Sequence, residues 1–161
     1  MTAIDDLVAA NAARTVPDGE ALPAPPARHL AIVTCMDARL DPLSALGLDV
    51  GEAHVIRNAG GIVTDDVLRS LSISQRALGT TEIAVLHHTK CGMQGFDDDK
   101  FRADLGDECG STPAWKGPGF SDPAEQAKES VKTLRECPWL LHTDGVRGFV
   151  WDVATSGITE V

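Results

Sequence analysis

The sequence predicts an α/β fold: a mainly parallel four-stranded sheet with flanking helices and a short antiparallel strand at the C-terminal end. Three observations lead there. Four short runs rich in aliphatic and β-branched residues recur at 29–34, 53–57, 82–87 and 147–153. Helix-patterned segments at 64–78 and 122–136 separate the later runs. Two of the runs, HLAIVT and EIAVLH, are almost continuously apolar, the pattern of strands buried on both faces.

In chain order, residues 2–13 are Ala-rich with Ile4, Leu7 and Val8 on one side, and read as a short amphipathic helix. A linker follows, with Pro17, Pro23, Pro25, Pro26 and the turn-like Asp18-Gly19. So short a helix cannot own a core and is expected to pack on the main body or on another subunit. The 161 residues are expected to form one domain, with 1–28 an N-terminal helix and Pro-rich arm and 29–161 the α/β core. Thr64 is placed to cap the helix 64–78, Asp65 and Asp66 suit its positive end, and Gly79 suits its C-cap. The helix 122–136 has a capping box from Asp122 to Glu125, Pro123 in its first turn, and Pro138 to end it. The stretch 97–120, rich in Gly and Pro, is expected to be irregular after a short helix near 98–105. Thr155-Ser156-Gly157 offers a turn into a last short strand ending at Val161.

Composition narrows the function. Acidic residues outnumber basic ones by 24 to 14, a net charge of −10 that repels phosphate backbones and anionic membranes. No nucleic-acid or membrane partner is expected. No apolar run approaches the length of a membrane span. Asp5 and Asp6 stand where a signal peptide would have lysines, so a cytoplasmic setting is expected. Tyrosine is absent, which removes it as a general acid. In a reducing compartment the four cysteines, Cys35, Cys91, Cys109 and Cys137, stay thiols.

The chemistry gathers at strand ends. Cys35 directly follows the first strand; His88 directly follows the third, and Cys91 comes three residues later. Ligands commonly bind beyond the carboxyl ends of parallel strands, at the point where strand order changes direction. If the first and third strands are neighbours, these three side chains converge. Two thiolates and an imidazole suit zinc, and three protein ligands with an open position is the catalytic pattern. The plain alternative for each cysteine is a small buried hydrophobe, and that reading serves for Cys109 and Cys137. Asp37 and Arg39 stand two apart in C35-M-D-A-R39. As an exposed ion pair they would contribute only ~0–1 kcal/mol, so stability does not explain their placement. Asp97-Asp98-Asp99 invites calcium, but no EF-hand spacing follows and a solvated helix start explains it.

C-x-D-x-R after one strand and H-x-x-C after a later one, with R57-N58-A59-G60-G61 between them and Gly92 after Cys91, resemble the β-class carbonic anhydrases. The resemblance spans about 29–153, and the wording is closest to a compact bacterial branch that also includes hydrolases of carbonyl sulfide. It implies reversible hydration of carbon dioxide to bicarbonate and a proton by zinc-bound hydroxide, with one zinc per chain held by Cys35, His88 and Cys91. Asp37 would take the fourth position in a closed state or point at the water there, restrained by Arg39. It also implies a homodimer or dimer of dimers, with the cleft at a subunit interface and the N-terminal helix lying across the partner. Met36, Gly60, Gly61, Ile62, Gly92 and Met93 are candidates for the substrate pocket, and Gly60 and Gly61 also permit a tight turn. His54 and His87 are candidate proton shuttles because histidine titrates near neutrality. Two other readings remain: carbonyl sulfide hydrolysis at the same site, and a closed structural zinc module. A phosphatase loop is excluded because Cys35 and Arg39 are too close in sequence, and no G-x-x-x-x-G-K-[ST] loop occurs.

Overall fold

The computed structural model describes residues 2–14 and 21–161. Pro17 and the Asp18-Gly19 turn lie outside the described residues. Five strands, β1 (Leu30–Cys35), β2 (Ala53–Asn58), β3 (Glu82–His88), β4 (Val146–Trp151) and β5 (Ile158–Glu160), form one sheet in the order β2-β1-β3-β4-β5. The first four are parallel, and β5 runs antiparallel beside β4. The helices are α1 (Ala3–Ala12), α2 (Pro42–Leu46), α3 (Asp65–Leu78), α4 (Asp98–Cys109) and α5 (Pro123–Arg135).

One sheet face is sealed by α3 and α5. Val67 and Leu71 of α3 and Leu134 of α5 close over Ala31, Val33, Ile83, Val85 and Val146, all essentially without exposure. The opposite face gathers Ile32, Leu40, Leu86, Phe120 and Trp151 under α2 and the loops, and Leu30, Ala84 and Phe149 stay only partly covered. The predicted N-caps and the Gly79 C-cap form, but the capping box at Asp122 is only half made, because the Glu125 carboxylate accepts from Lys128 Nζ instead. Thr64 accepts from Val67 N–H, Gly79 takes a left-handed conformation, and Asp122 accepts from the N–H groups of Ala124 and Glu125.

One further expectation needs correction, and two short elements go beyond the sequence reading. The helix placed near 98–105 runs on to Cys109, since Gly110, in the left-handed region, is its actual stop. α2 and a 3-10 turn at Ala59–Gly61 were not anticipated, because each is shorter than a helical period can reveal. α1 forms as expected, behind a Thr2–Asp5 capping box, and none of its residues is buried. No helix among the described residues is long and apolar enough to cross a membrane.

Candidate metal centre

β1 and β3 are hydrogen-bonded neighbours, with Thr34 registered opposite Leu86. Cys35 and His88 therefore leave the sheet at the same edge, where the chain goes to β2 on one side and to β3 and β4 on the other. The turn after β3 brings Cys91 back to them. Lys90 makes this possible by adopting φ +54°, a left-handed conformation that lysine rarely takes. The ligand atoms of Cys35, His88 and Cys91 all lie within 4.8 Å of one another, and all three residues are buried.

This arrangement fits a metal ion. The two sulfurs are 3.9 Å apart, and two sulfurs at ~2.3 Å from one tetrahedral zinc would be separated by about 3.8 Å. His88 Nδ1 lies 2.9 Å from the Thr89 carbonyl, which can only accept, so Nδ1 carries the hydrogen and Nε2 presents its lone pair. That Nε2 is buried and has no hydrogen-bond partner. An orphaned imidazole nitrogen facing two thiols is a vacancy of donor chemistry that a soft or borderline cation satisfies.

The electrostatics agree. Burial alone would raise the Cys35 thiol. His88 and the N–H groups of Asp37 and Gly60 outweigh it and bring Cys35 down to about 7. The lowering by His88 belongs to its protonated form; in the neutral tautomer, with Nε2 bare, a cation between the groups supplies that positive charge instead. Cys91 is pushed up to about 11, first by burial and then by the neighbouring Cys35 charge, against the Met93 N–H. One sulfur is thus ready as a thiolate, and the second needs a cation beside it to ionise.

Asp37 and Arg39 stand over this cluster. Arg39 Nε donates to Asp37 Oδ1 at 2.9 Å and Nη2 to Oδ2 at 2.6 Å, a two-pronged clamp. The Arg39 clamp holds the Asp37 carboxyl well below the usual carboxylate range, against some desolvation. The same Nη2 donates to the Lys90 carbonyl at 2.9 Å, so the left-handed turn that delivers Cys91 also anchors Arg39. Asp37 Oδ2 is 3.8 Å from His88 Nε2.

The remaining candidates separate. Gly60 and Gly61 are buried, and Gly61 lies directly behind the Cys35 backbone. Ile62 and Met93 line an apolar cavity of about 540 Å³ with Phe96, Phe101, Trp115 and Pro118. Met36 is 63% exposed, and Gly92 is exposed with open space around it. The shuttle candidates do not suit that role. His54 sits near the amino end of β2, opposite the centre, bonded to Ser74. His87 is wholly buried, with Nε2 3.2 Å from Ser130 Oγ. Cys137 belongs to the core, whereas Cys109, the last residue of α4, is exposed, so the buried-hydrophobe reading does not hold for it. Sequence reasoning missed the Lys90 backbone and the Thr89 carbonyl, for which no side-chain pattern exists.

Fold and site together define an α/β protein with a Cys₂His cluster, a candidate metal centre, at the switch point of a parallel sheet. The family model described as carbonic anhydrase matches residues 30–140. Beta-carbonic anhydrase 1 of Mycobacterium tuberculosis is 50% identical over 161 residues, covering 100% of this chain and 99% of that protein. A carbon disulfide hydrolase of Acidithiobacillus thiooxidans is 34% identical over 149 residues, covering 80% of this chain and 74% of that protein. The crystal structure of a carbonic anhydrase from Streptococcus mutans superposes with a TM-score of 0.88 at 41% identity, covering 100% of this chain and 98% of that one. The chain belongs to the β-carbonic anhydrase family of enzymes.

Proposed function

We propose that this protein catalyses the reversible hydration of carbon dioxide to bicarbonate and a proton, with one zinc ion per chain held by Cys35, His88 and Cys91. The observation that carries the reading is the unpartnered His88 Nε2 beside two sulfurs, with an ionised, clamped carboxylate 3.8 Å away. When bound, zinc supplies Lewis acidity that lowers the pKa of water toward ~7. Two thiolates neutralise a divalent charge, so this centre acidifies water less than an all-histidine one.

The chain's own residues supply the rest. Asp37 accepts the remaining proton of the attacking water as a hydrogen bond, which aims an oxygen lone pair away from the carboxylate and toward substrate. Arg39 keeps Asp37 off the ligand position, and the Lys90 carbonyl keeps Arg39 in place. The Arg39 clamp keeps Asp37 ionised below the usual carboxylate range, so it remains an acceptor. Ile62 and Met93 give a neutral, linear substrate an apolar approach. Residues 29–161 form the catalytic core in this reading, in a cytoplasmic enzyme that works as a dimer or a dimer of dimers. The uncovered α1, with Ile4, Leu7 and Val8 65–71% exposed, lies across a second copy.

Metal analysis combined with stopped-flow carbon dioxide hydration tests the proposal. One zinc per chain, activity lost on chelation and restored by zinc, and loss of both in Cys91→Ser are expected. Full activity in metal-free protein would refute it. A second reading, hydrolysis of carbonyl sulfide or carbon disulfide at the same site, is favoured by the relatives named carbon disulfide hydrolase. Hydrogen sulfide release from each compound, measured on the same preparation, separates the two. A closed structural zinc module has less support, because both carboxylate oxygens of Asp37 are already engaged by Arg39.

A further inference from the structure

Arg57, on the exposed edge of β2, does something the Asp37–Arg39 pair cannot do for itself. Backbone pairing between β1 and β2 runs out just past Cys35, the last such bond being Met36 N–H to the Asn58 carbonyl at 2.8 Å. The chain then enters a turn closed by Leu40 N–H donating to the Asp37 carbonyl at 3.0 Å. Across this junction Arg57 Nε donates to the Cys35 carbonyl at 3.0 Å and Nη2 to the Asp37 carbonyl at 2.7 Å. One rigid fork thus grips the main chain of a metal-ligand residue and of the carboxylate residue two positions on.

We infer that Arg57 is a positioning residue: by holding the Cys35 and Asp37 carbonyls together, it fixes the turn that separates the thiolate from the carboxylate. The inference rests on the hydration reading given above and deepens it. Arg39 restrains Asp37 from the side-chain end, and Arg57 restrains it from the main-chain end. The margin is small, since Asp37 Oδ2 already lies 3.8 Å from His88 Nε2. A modest rotation of the 37–40 turn carries the carboxylate into the open ligand position and closes the site. Lysine is a poor substitute, because a single ammonium on a flexible stem lacks the planar fork that spans two fixed acceptors. Burial does not account for Arg57, whose side chain faces solvent for much of its length.

The test uses the full-length, metal-loaded protein with Arg57→Met, Arg57→Lys, Asp37→Ala and the Arg57→Met/Asp37→Ala double variant. Loosening a group that holds a metal-ligand residue and its neighbouring carboxylate in place lowers activity by about 10–100-fold. That fall is expected in kcat for Arg57→Met, with KM little changed and part of the loss recovered in Arg57→Lys. In the Asp37→Ala background, Arg57→Met should add no more than about threefold, because its effect acts through Asp37. The readout independent of turnover is the visible absorption of the cobalt-substituted protein. Arg57→Met should shift the ligand-field bands as the carboxylate approaches the metal, and the double variant should lack that shift. A kcat within threefold of wild type, fully additive losses, or unshifted cobalt bands would overturn the inference. If wild-type protein fails to hydrate carbon dioxide, the functional proposal falls and the cobalt bands alone decide for or against Arg57. If Arg57→Met does not fold, Arg57→Lys and its cobalt spectrum decide in the same way.

Discussion

Replacing Gly61 by alanine should damage the protein far more than one methyl group suggests. Gly61 has φ +66°, and a Cβ there would lie 2.8 Å from both Cys35 N and Thr34 C, and 3.2 Å from Thr34 Cα. These are main-chain atoms of the central strand β1, paired on both sides, so they cannot yield as a flexible side chain would. The left-handed backbone costs an L-residue about 1–2 kcal/mol. Overpacking a close-fitted site costs about 1–3 kcal/mol more. The sum, about 2–5 kcal/mol, is a large share of a native stability of about 5–15 kcal/mol. Gly47 supplies the control: it has φ +65°, but a Cβ there meets nothing within 4 Å, so Gly47→Ala should show the conformational part alone. Urea unfolding of the metal-free proteins, with unchanged m-values, measures both. The excess for Gly61→Ala should be about 1–3 kcal/mol, and zinc affinity should fall with it because the clash bears on the Cys35 backbone. If Gly61→Ala and Gly47→Ala cost the same within about 0.5 kcal/mol, the reasoning that Gly61 is fixed by contact with β1 is wrong.

Two further outcomes follow from the same geometry. His87 is wholly buried, and burial, followed by repulsion from His88, holds it down to about 4 from an ordinary 6.5. A folded-state pKa below the unfolded value means the neutral form is favoured by folding. That contribution is therefore complete above pH ~6.5 and is lost as pH falls toward ~4, a change of about 3 kcal/mol. Metal-free His87→Gln should lose less stability than wild type between pH 7 and pH 4.5 in urea titrations, and identical losses would contradict the reading. Lys90→Asn should leave the centre intact and raise stability by about 0.5–1 kcal/mol, because asparagine tolerates the left-handed region better than lysine. A lowered melting temperature with normal zinc content would show that the Lys90 side chain matters more than its backbone.

Much of this architecture was legible in the sequence for simple reasons. HLAIVT and EIAVLH are apolar because their strands are buried between layers, and the residues following them, Cys35 and His88, stand at equivalent strand ends. Adjacency of β1 and β3 was the one thing the motif needed and could not itself prove; the register supplies it. What stayed hidden has no side-chain signature. The Thr89 carbonyl sets the His88 tautomer, and the Lys90 carbonyl anchors Arg39, yet any residue carries a carbonyl. Helix periodicity could not reveal α2, whose five residues span little more than one turn. The His54 and His87 shuttle reading failed because ordinary imidazole pKa values say nothing of position. One lies at the wrong end of β2 and the other is sealed behind Ser130.

The charge arrangement makes sense of an acidic protein around such a centre. Cys35, Cys91 and Asp37 put three potential anions at one strand edge, more than a divalent cation can neutralise, and Arg39 supplies the missing positive charge. In the proposed reading its clamp lets the carboxylate stay ionised without becoming a ligand, which leaves a fourth position free for chemistry. The net charge of −10 then acts differently on the two sides of the proposed reaction. A neutral linear substrate carries no net charge for that field to act on, whereas bicarbonate is anionic and is disfavoured near the surface at low ionic strength. Product release should therefore slow as salt screens the field, while substrate binding should not change. Removing Arg39 should reverse the local balance, because an unclamped Asp37 then finds its counter-charge only by moving onto the metal.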